Sequence, residues 1–293
     1  MRPRPVAASA GLLLTLACDS APSDAQVAEA VLTAPDAGEV RTFRDEGSGF
    51  RAAGVAPIRA LTSLDAYEED GSVFVAGLSH RLVPSLFAEY LPQLFVAVLE
   101  SADPSLRSWS AHSWRVDAPG AAMIDPALVL GPNGRELWFV QVDGPGDPAQ
   151  GGKAARVMRT RWTGSRFAGA EVVFEGRGVV DPSAVYDGDA WRLFLTRNHR
   201  EIVEVTGTRK EPRIVASGLS VPHISRVDGG LRLTGQDTSR GPSTPVELRP
   251  VGEGWSTPQA LLPPGDSEPC SSPSTTVHAG ARWLFCAKER PGP

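Results

Sequence analysis

The chain has 293 residues, 41% of them hydrophobic, and a formal net charge of −5 at pH 7. The negative balance argues against a nucleic-acid partner, which would require a basic patch. With 30 glycines and 26 prolines, the chain is rich in turn-forming residues. Its length suits one large all-β domain or two small domains.

Residues 1–17 carry the pattern of a secretory signal peptide. Arg2 and Arg4 form a basic start, and an apolar stretch of about a dozen residues follows, too short for the ~20 residues of a membrane span. The stretch ends at Cys18 and resembles the lipobox of bacterial lipoproteins, although Thr15 stands where that family usually has Leu. The resemblance implies lipidation of Cys18, a tether over residues 18–27 and a place in the bacterial cell envelope, periplasmic or on the cell surface. The alternative is an ordinary signal peptide with an incidental cysteine.

Five stretches of the remaining chain share one pattern: a residue followed by proline, a short strand, a glycine-bearing turn and a second strand. Their prolines are Pro57, Pro126, Pro182, Pro222 and Pro273. Asp187-Gly188, in the third stretch, is a strong hairpin signal, because both residues tolerate positive φ angles. A repeat of roughly 40–50 residues with several strands is typical of β-propellers, and the longer first interval indicates an inserted loop.

The repeats predict an all-β, five-bladed β-propeller over residues 28–293. Each of the first four supplies four strands, which we letter A to D from the axis outward. The fifth supplies only A and B, because the chain ends at Pro293. The N-terminal segments Ala28–Thr33 and Val40–Arg44 are predicted to supply its C and D strands, which would close the ring and remove exposed sheet edges.

Residues that carry chemistry are expected where the inner A strands begin, because this end of the blades shares one face with the B-to-C loops. The residues just before the five prolines are Ala56, Asp125, Asp181, Val221 and Ser272. Two of them, Asp125 and Asp181, fall on adjacent blades, so their carboxylates are expected to converge. Alternatively, each carboxylate accepts backbone N–H groups in an Asx-type turn at the start of its strand.

Other polar residues on the same face are candidates for ligand binding. They are His223, directly after Pro222, and the loop residues Arg197, His199, Asp237 and Arg240. A solvated polar loop is the alternative interpretation of the segment around His199. The histidines lack metal-ligand spacing, and no nucleophile elbow, Walker loop or dinucleotide motif is present. We therefore expect neither a metal nor a cofactor.

The blade pattern, Asp-Pro-Ser/Ala, then two apolar residues, a glycine turn and Trp-x-Leu, resembles the five-bladed propeller glycosidases related to arabinanases, β-xylosidases and invertases. In that family three carboxylates meet at the axis: an Asp base or nucleophile in the first blade, a tuning Asp in the second and a Glu acid in the third. Asp125 matches the second position. Asp181 stands at the third as Asp instead of Glu, and Ala56 leaves the first without a carboxylate. Asp65 is expected at the opposite face.

The resemblance therefore implies an incomplete site. Glycoside hydrolysis needs two carboxyl groups flanking the bond, one protonated and one ionised. We expect a monomeric, lipid-anchored envelope protein that binds a carbohydrate or another small ligand at the propeller axis. One alternative is an active glycoside hydrolase that uses Asp125 and Asp181, and another is a protein-interaction scaffold with an exposed apolar patch.

Two cysteines remain if Cys18 is lipidated. Cys270 and Cys286 flank the last hairpin, and an oxidising envelope favours a bridge between them. With the turn near Ala279-Gly280, Cys270 would face about residue 289, so the register is slightly off. The alternative is two buried free thiols.

Overall fold

The computed structural model describes most of the chain beyond the predicted signal peptide. The described residues are 21–33, 39–59, 61–79, 82, 95–118, 122–142, 148–149, 153–188, 190–207, 211–237, 239, 243–263 and 270–288. Within these ranges the regular structure is one α-helix, α1 (Asp24–Leu32), and 22 β-strands. No helix in the described ranges is long and apolar enough to cross a membrane.

The helix is followed by two strands that belong to the last blade, β1 (Glu39–Asp45) and β2 (Phe50–Arg59). Blade I then comprises β3 (Thr62–Glu69), β4 (Ser72–Leu78), β5 (Phe95–Ser101) and β6 (Ser110–Val116). Blade II comprises β7 (Ala122–Gly131), β8 (Gly134–Val142), β9 (Ala154–Trp162) and β10 (Arg166–Arg177). The outer strands β6 and β10 pair in parallel over two residues, which joins blades I and II into one eight-stranded sheet.

The remaining strands complete the ring. Blade III comprises β11 (Val179–Asp187), β12 (Ala190–Arg197), β13 (Glu201–Thr206) and β14 (Arg213–Ser217). Blade IV comprises β15 (Leu219–Val227), β16 (Gly230–Asp237), β17 (Thr244–Leu248) and β20 (Gln259–Ala260), with a side hairpin of β18 (Pro250–Val251) and β19 (Gly254–Trp255). Blade V comprises β21 (Ser271–His278) and β22 (Ala281–Lys288), paired with β1 and β2 in the order β2-β1-β22-β21. The described chain is thus a five-bladed β-propeller whose last blade is closed by N-terminal strands, as predicted.

One predicted closing segment is wrong. Ala28–Thr33 lies largely in helix α1, and β2 supplies the outer strand of blade V instead. Ser23 begins the helix in a capping box, in which its side chain accepts from the N–H of Gln26 and the Gln26 side chain accepts from the N–H of Ser23. Val27 and Val31, four residues apart, are fully buried against the outer strands of blades I and V. The helix begins at Asp24, inside the segment predicted as a tether.

The turns between A and B strands explain why the sequence forms these hairpins. Both central residues have positive φ in Asp70-Gly71, Asp228-Gly229 and Ala279-Gly280. This is the geometry of type I′ turns, whose twist matches that of the paired strands. Side chains between blades form the core, for example Trp138 of blade II against Trp191 of blade III, with ring centroids 5.5 Å apart.

The predicted disulfide is confirmed. Cys270 and Cys286 are bonded, with a Cα–Cα distance of 4.8 Å. The hairpin register would place Cys270 opposite residue 289, but a bulge between Ser271 and Ser274 shifts the ladder by one residue, so that Ser271 pairs with Ala287. Cys270 therefore lies diagonally across from Cys286, within reach of a bridge.

Candidate functional site

All five A strands begin with the same irregularity. In each A–B ladder, two residues of strand A oppose one residue of strand B, which defines a β-bulge. The first bulge residue has φ of 49–51° in every blade, although none is glycine: Ser63, Asp125, Asp181, Val221 and Ser272. Proline follows this residue in four blades. It is tolerated there because the bulge needs no hydrogen bond from the N–H that proline lacks. We call the face on which these residues lie the upper face.

The first-blade position was predicted incorrectly. Ala56 lies in β2, the outer strand of blade V, and is buried. The residue that opens blade I is Ser63, which is followed by Leu64 instead of proline. The first-blade position still lacks a carboxylate, but it carries a hydroxyl group.

Ser63, Asp125 and Asp181 come together on the upper face, and we call them the bulge cluster. The Ser63 hydroxyl donates to Asp125 Oδ1 over 2.8 Å. The backbone N–H of Asp181 donates to Asp125 Oδ2 over 3.2 Å. The Asp125 carboxylate therefore links blades I, II and III, and all three residues are half-buried. Asp125 thus makes the Asx-type backbone contact that was the structural alternative. Its contact with Asp181 is to the main chain, so the expected convergence of the two carboxylates stays a prediction.

The central channel lies directly below the cluster. Asp65 does not lie at the opposite face, as was expected, but in the middle of β3, where its side chain crosses the channel. Its Oδ1 lies 2.7 Å from His223 Nδ1, and its Oδ2 accepts from the N–H of Leu128 over 2.8 Å. His223 Nε2 lies 2.8 Å from the carbonyl oxygen of Thr275. Both ring nitrogens of His223, a predicted ligand-binding residue, thus contact protein groups.

Three other candidate residues lie at or just beyond the ends of B strands. The Arg197 guanidinium is paired with Glu201, with an Nη2–Oε2 distance of 2.6 Å. His199 is exposed and has a φ of 53°, in the turn between β12 and β13. Asp237 accepts from the N–H and hydroxyl of Ser239 in a local turn. Arg240 and Cys18 lie outside the described residues.

Several ionisable groups with shifted pKa values lie in the lower half of the blades, away from the bulge cluster. Burial, reinforced by Glu136, raises the pKa of Tyr186, and burial raises that of Tyr67. Hydrogen bonds from Ser105 lower the pKa of Asp103. A hydrogen bond from Arg226 lowers the pKa of Asp187. These groups stabilise turns and contacts between blades.

Sequence reasoning missed Ser63 and placed Asp65 at the wrong face. A usable signal was the pattern Thr62-Ser63-Leu64-Asp65, because a polar residue two positions after the bulge residue recurs as Ser183, His223 and Ser274. The missing proline in blade I and the Pro57 of a neighbouring strand obscured this alignment.

Comparison with known proteins identifies the fold but not the activity. No family model matches the sequence, and no curated protein matches it. Solved structures do match. An α-L-arabinofuranosidase from Lactobacillus brevis aligns with a TM-score of 0.57 and 10% identity, covering 80% of this chain and 86% of that one. The GH62 α-L-arabinofuranosidase catalytic domain from Coprinopsis cinerea aligns with a TM-score of 0.54 and 12% identity, with the same coverage of 80% and 86%.

A third match is a xylan β-1,4-xylosidase from Bacillus halodurans C-125, with a TM-score of 0.56 and 13% identity. The alignment covers 79% of this chain and 50% of the xylosidase, so this chain spans half of that protein's length. The shared feature is the five-bladed propeller. At these identities the similarity is one of fold alone, and it agrees with the fold resemblance inferred from the Asp-Pro repeats.

Proposed function

We propose that this protein binds a carbohydrate on the upper face of its propeller, through the bulge cluster, without hydrolysing it. The observation that carries this proposal is that the Ser63 hydroxyl, the Asp125 carboxylate and the main chain of Asp181 meet from three adjacent blades. Sugar hydroxyl groups donate and accept hydrogen bonds, and carboxylate oxygens accept several at once. Asp125 can therefore keep its contacts to Ser63 and to the N–H of Asp181 while it receives a ligand hydroxyl.

The proposed class of carbohydrate is taken from the names of the structural neighbours. Their names specify arabinofuranosidase and xylosidase activity. Arabinose- and xylose-containing oligosaccharides are accordingly the ligands that we propose.

The side chains present argue against hydrolysis. A glycosidase requires a second carboxyl group to act with the acid, as base or nucleophile. Ser63 supplies none in blade I, and Asp125 is engaged through both oxygens. Asp65 is the next carboxylate along β3, but it is buried in the channel and bonded to Leu128 and His223. Binding without turnover is the function that this arrangement supports best.

For the location we propose anchoring to the cell envelope through a lipid on Cys18. The support is the lipobox-like sequence that ends in Leu16-Ala17-Cys18. Cys18→Ser should release the protein from the membrane fraction, and retention of this variant with the membranes would contradict the anchor.

The binding proposal is tested by calorimetric titration with arabino- and xylo-oligosaccharides. Asp181→Ala should weaken binding roughly tenfold or more, as expected for loss of a hydrogen bond to a charged group. Asp187→Ala is the matched control, because it removes the same side chain from the lower end of the same strand, β11. We expect the control to leave affinity unchanged.

Three results would contradict the proposed function. The first is no heat of binding with either oligosaccharide series. The second is an equal loss of affinity in Asp181→Ala and Asp187→Ala. The third is release of reducing sugar by the unmodified protein, which would instead support the hydrolase alternative.

A further inference from the structure

One side chain from each blade surrounds the channel two positions after the bulge residue. We call these five residues the channel ring, and all are buried: Asp65, Ala127, Ser183, His223 and Ser274. Most make the same sideways contact to the next blade. Ser274 accepts from the N–H of Ala66 over 2.8 Å, Asp65 from that of Leu128, and Ser183 from that of Ile224 over 3.0 Å. The channel ring therefore links neighbouring blades by hydrogen bonds near the axis.

Asp65 and His223 make an additional contact across the ring. They belong to blades I and IV, which are not neighbours, and Asp65 Oδ1 lies 2.7 Å from His223 Nδ1. The hydroxyl oxygen of Ser274, in blade V between them, lies 3.1 Å from the same nitrogen. This contact spans the channel directly below the bulge cluster.

The partners of His223 determine where its protons are. Nε2 faces the carbonyl oxygen of Thr275, which only accepts, so Nε2 must carry hydrogen. Nδ1 faces a carboxylate oxygen at 2.7 Å, a distance that requires a proton between the two atoms. Asp65 Oδ2 already accepts from the N–H of Leu128, and such a hydrogen bond favours the ionised carboxylate. These contacts favour placing the proton on Nδ1.

The surroundings of the pair are consistent with one balanced ion pair. The described side chains that face it from the other strands are uncharged: Ala127 of β7, Ser183 of β11, Thr234 of β16, and Ser274 and Thr275 of β21. The nearest further carboxyl groups, Asp125 and Asp181, lie two residues before the ring on their own strands. A single ion in this buried place would be costly, whereas a hydrogen-bonded pair of opposite charge is tolerated.

We propose that Asp65 and His223 form a carboxylate–imidazolium clamp that closes the channel and positions Asp125. Strand β3 contacts β7 at two points. Ser63 donates to Asp125, and Asp65 accepts from the N–H of Leu128, three residues after Asp125. The imidazolium fixes the position of the Asp65 carboxylate and thereby its contact with the N–H of Leu128. Asp65 and His223 are thus positioning residues for the floor of the carbohydrate site, and this second part rests on the proposed function.

The protonation state is tested directly by ¹⁵N NMR of the imidazole side chains at pH 7.5, with His223→Gln used to assign the signals. In the unmodified protein both ring nitrogens of His223 should be protonated, whereas Asp65→Asn should leave only Nε2 protonated. A His223 ring with a single protonated nitrogen in the unmodified protein would overturn the clamp. No ligand is needed, so this result is independent of carbohydrate binding.

The structural effect is measured by urea unfolding. Asp65→Asn should raise the unfolding equilibrium constant roughly a hundredfold or more, because it removes one partner of a buried, hydrogen-bonded ion pair. Ser183→Ala, which removes an uncharged contact of the same ring, should raise it only about fivefold to tenfold. Equal effects of the two variants would contradict a charged clamp.

The positioning role is measured as affinity for the oligosaccharide that binds the unmodified protein, under conditions where each variant is folded. Asp65→Asn should weaken binding severalfold, and Ser183→Ala should not. Unchanged affinity in folded Asp65→Asn would contradict the positioning role. If the unmodified protein binds no sugar, the proposed function fails, while the NMR result still decides the clamp.

Discussion

Blades III and V have the same four-stranded order but are assembled differently. Blade III is one continuous stretch, in which β11 to β14 follow each other and pair in sequence. Blade V joins β21 and β22 from the C-terminal end to β1 and β2 from the N-terminal end. Closing blade V therefore costs far more chain entropy than pairing adjacent strands.

The difference appears in the covalent and ionic links around the two blades. Blade V contains the Cys270–Cys286 disulfide, and Arg282 of β22 reaches Glu247 in blade IV. Glu247 also pairs with Arg232 and Arg249 of its own blade. Blade III has a buried glutamate at the equivalent position, Glu204, whose partners Arg192 and Arg213 both lie within blade III. The blade built from two chain ends thus has a covalent link within itself and a buried ionic link to its neighbour. Three variants test whether its closure depends on them.

The largest effect is expected for Glu247→Ala. Glu247 is 3% exposed and Arg282 is 11% exposed, so the variant would leave a nearly buried guanidinium unpaired. Removing one partner of a buried ion pair typically costs about 3–5 kcal/mol. We expect a loss in this range, measured by urea unfolding.

Glu204→Ala is the matched control, because Glu204 is also buried, at 4%, but its arginine partners are 22% and 35% exposed. These guanidinium groups can recover hydration, so the control should lose less stability. Amide hydrogen exchange should accelerate in β1 and β22 for Glu247→Ala only. A larger loss for Glu204→Ala would contradict the importance of the link between blades IV and V.

An intermediate effect is expected when the disulfide is removed. Cys270→Ser with Cys286→Ser opens a cross-link between residues separated by 16 positions. A loop of this size corresponds to about 3 kcal/mol in the chain-entropy model. Reduction of the unmodified protein should lower its stability by the same amount, and a change below ~1 kcal/mol in both measurements would mean that the closure does not depend on the bridge.

The blade count and closure could be predicted from sequence because their signals are local. Proline lacks an N–H and so marks the bulge that begins strand A, as at Pro126 and Pro182. Aspartate and glycine at Asp228-Gly229 specify the hairpin turn. Each signal depends on only a few neighbouring residues, so it can be recognised without knowledge of the fold.

The errors occurred where the outcome depends on distant residues. Ala28–Thr33 is a short, mostly apolar segment before a turn, which suits a strand, but Ser23 caps a helix whose valines are buried against two blades. Ala56-Pro57 imitates the bulge signal in an outer strand, whereas Ser63 makes the bulge without proline. The contact between Asp65 and His223 joins residues 158 positions apart. Only the assembled ring brings these groups together.

The smallest effect is expected at an exposed link between blades III and IV. Arg226 Nη2 donates to Asp187 Oδ1 over 2.9 Å, and both side chains are 43% exposed. This contact lowers the pKa of Asp187, and Arg192 assists. Arg226→Met should raise the pKa of Asp187 toward the ordinary value of about 3.9 and cost less than ~1 kcal/mol, because solvent screens the pair.

The sign of the pH dependence follows from the lowered pKa of Asp187. The stabilisation by Arg226 is fully present above the ordinary carboxyl pKa and is lost as the pH falls through the lowered value of the folded state. The difference in stability between Arg226→Met and the unmodified protein should therefore disappear in acid. NMR titration of the Asp187 carboxyl carbon and urea unfolding at several pH values measure both quantities. A loss as large as that of Glu247→Ala would show that exposed and buried links between blades contribute equally, against the interpretation that closure depends on the buried one.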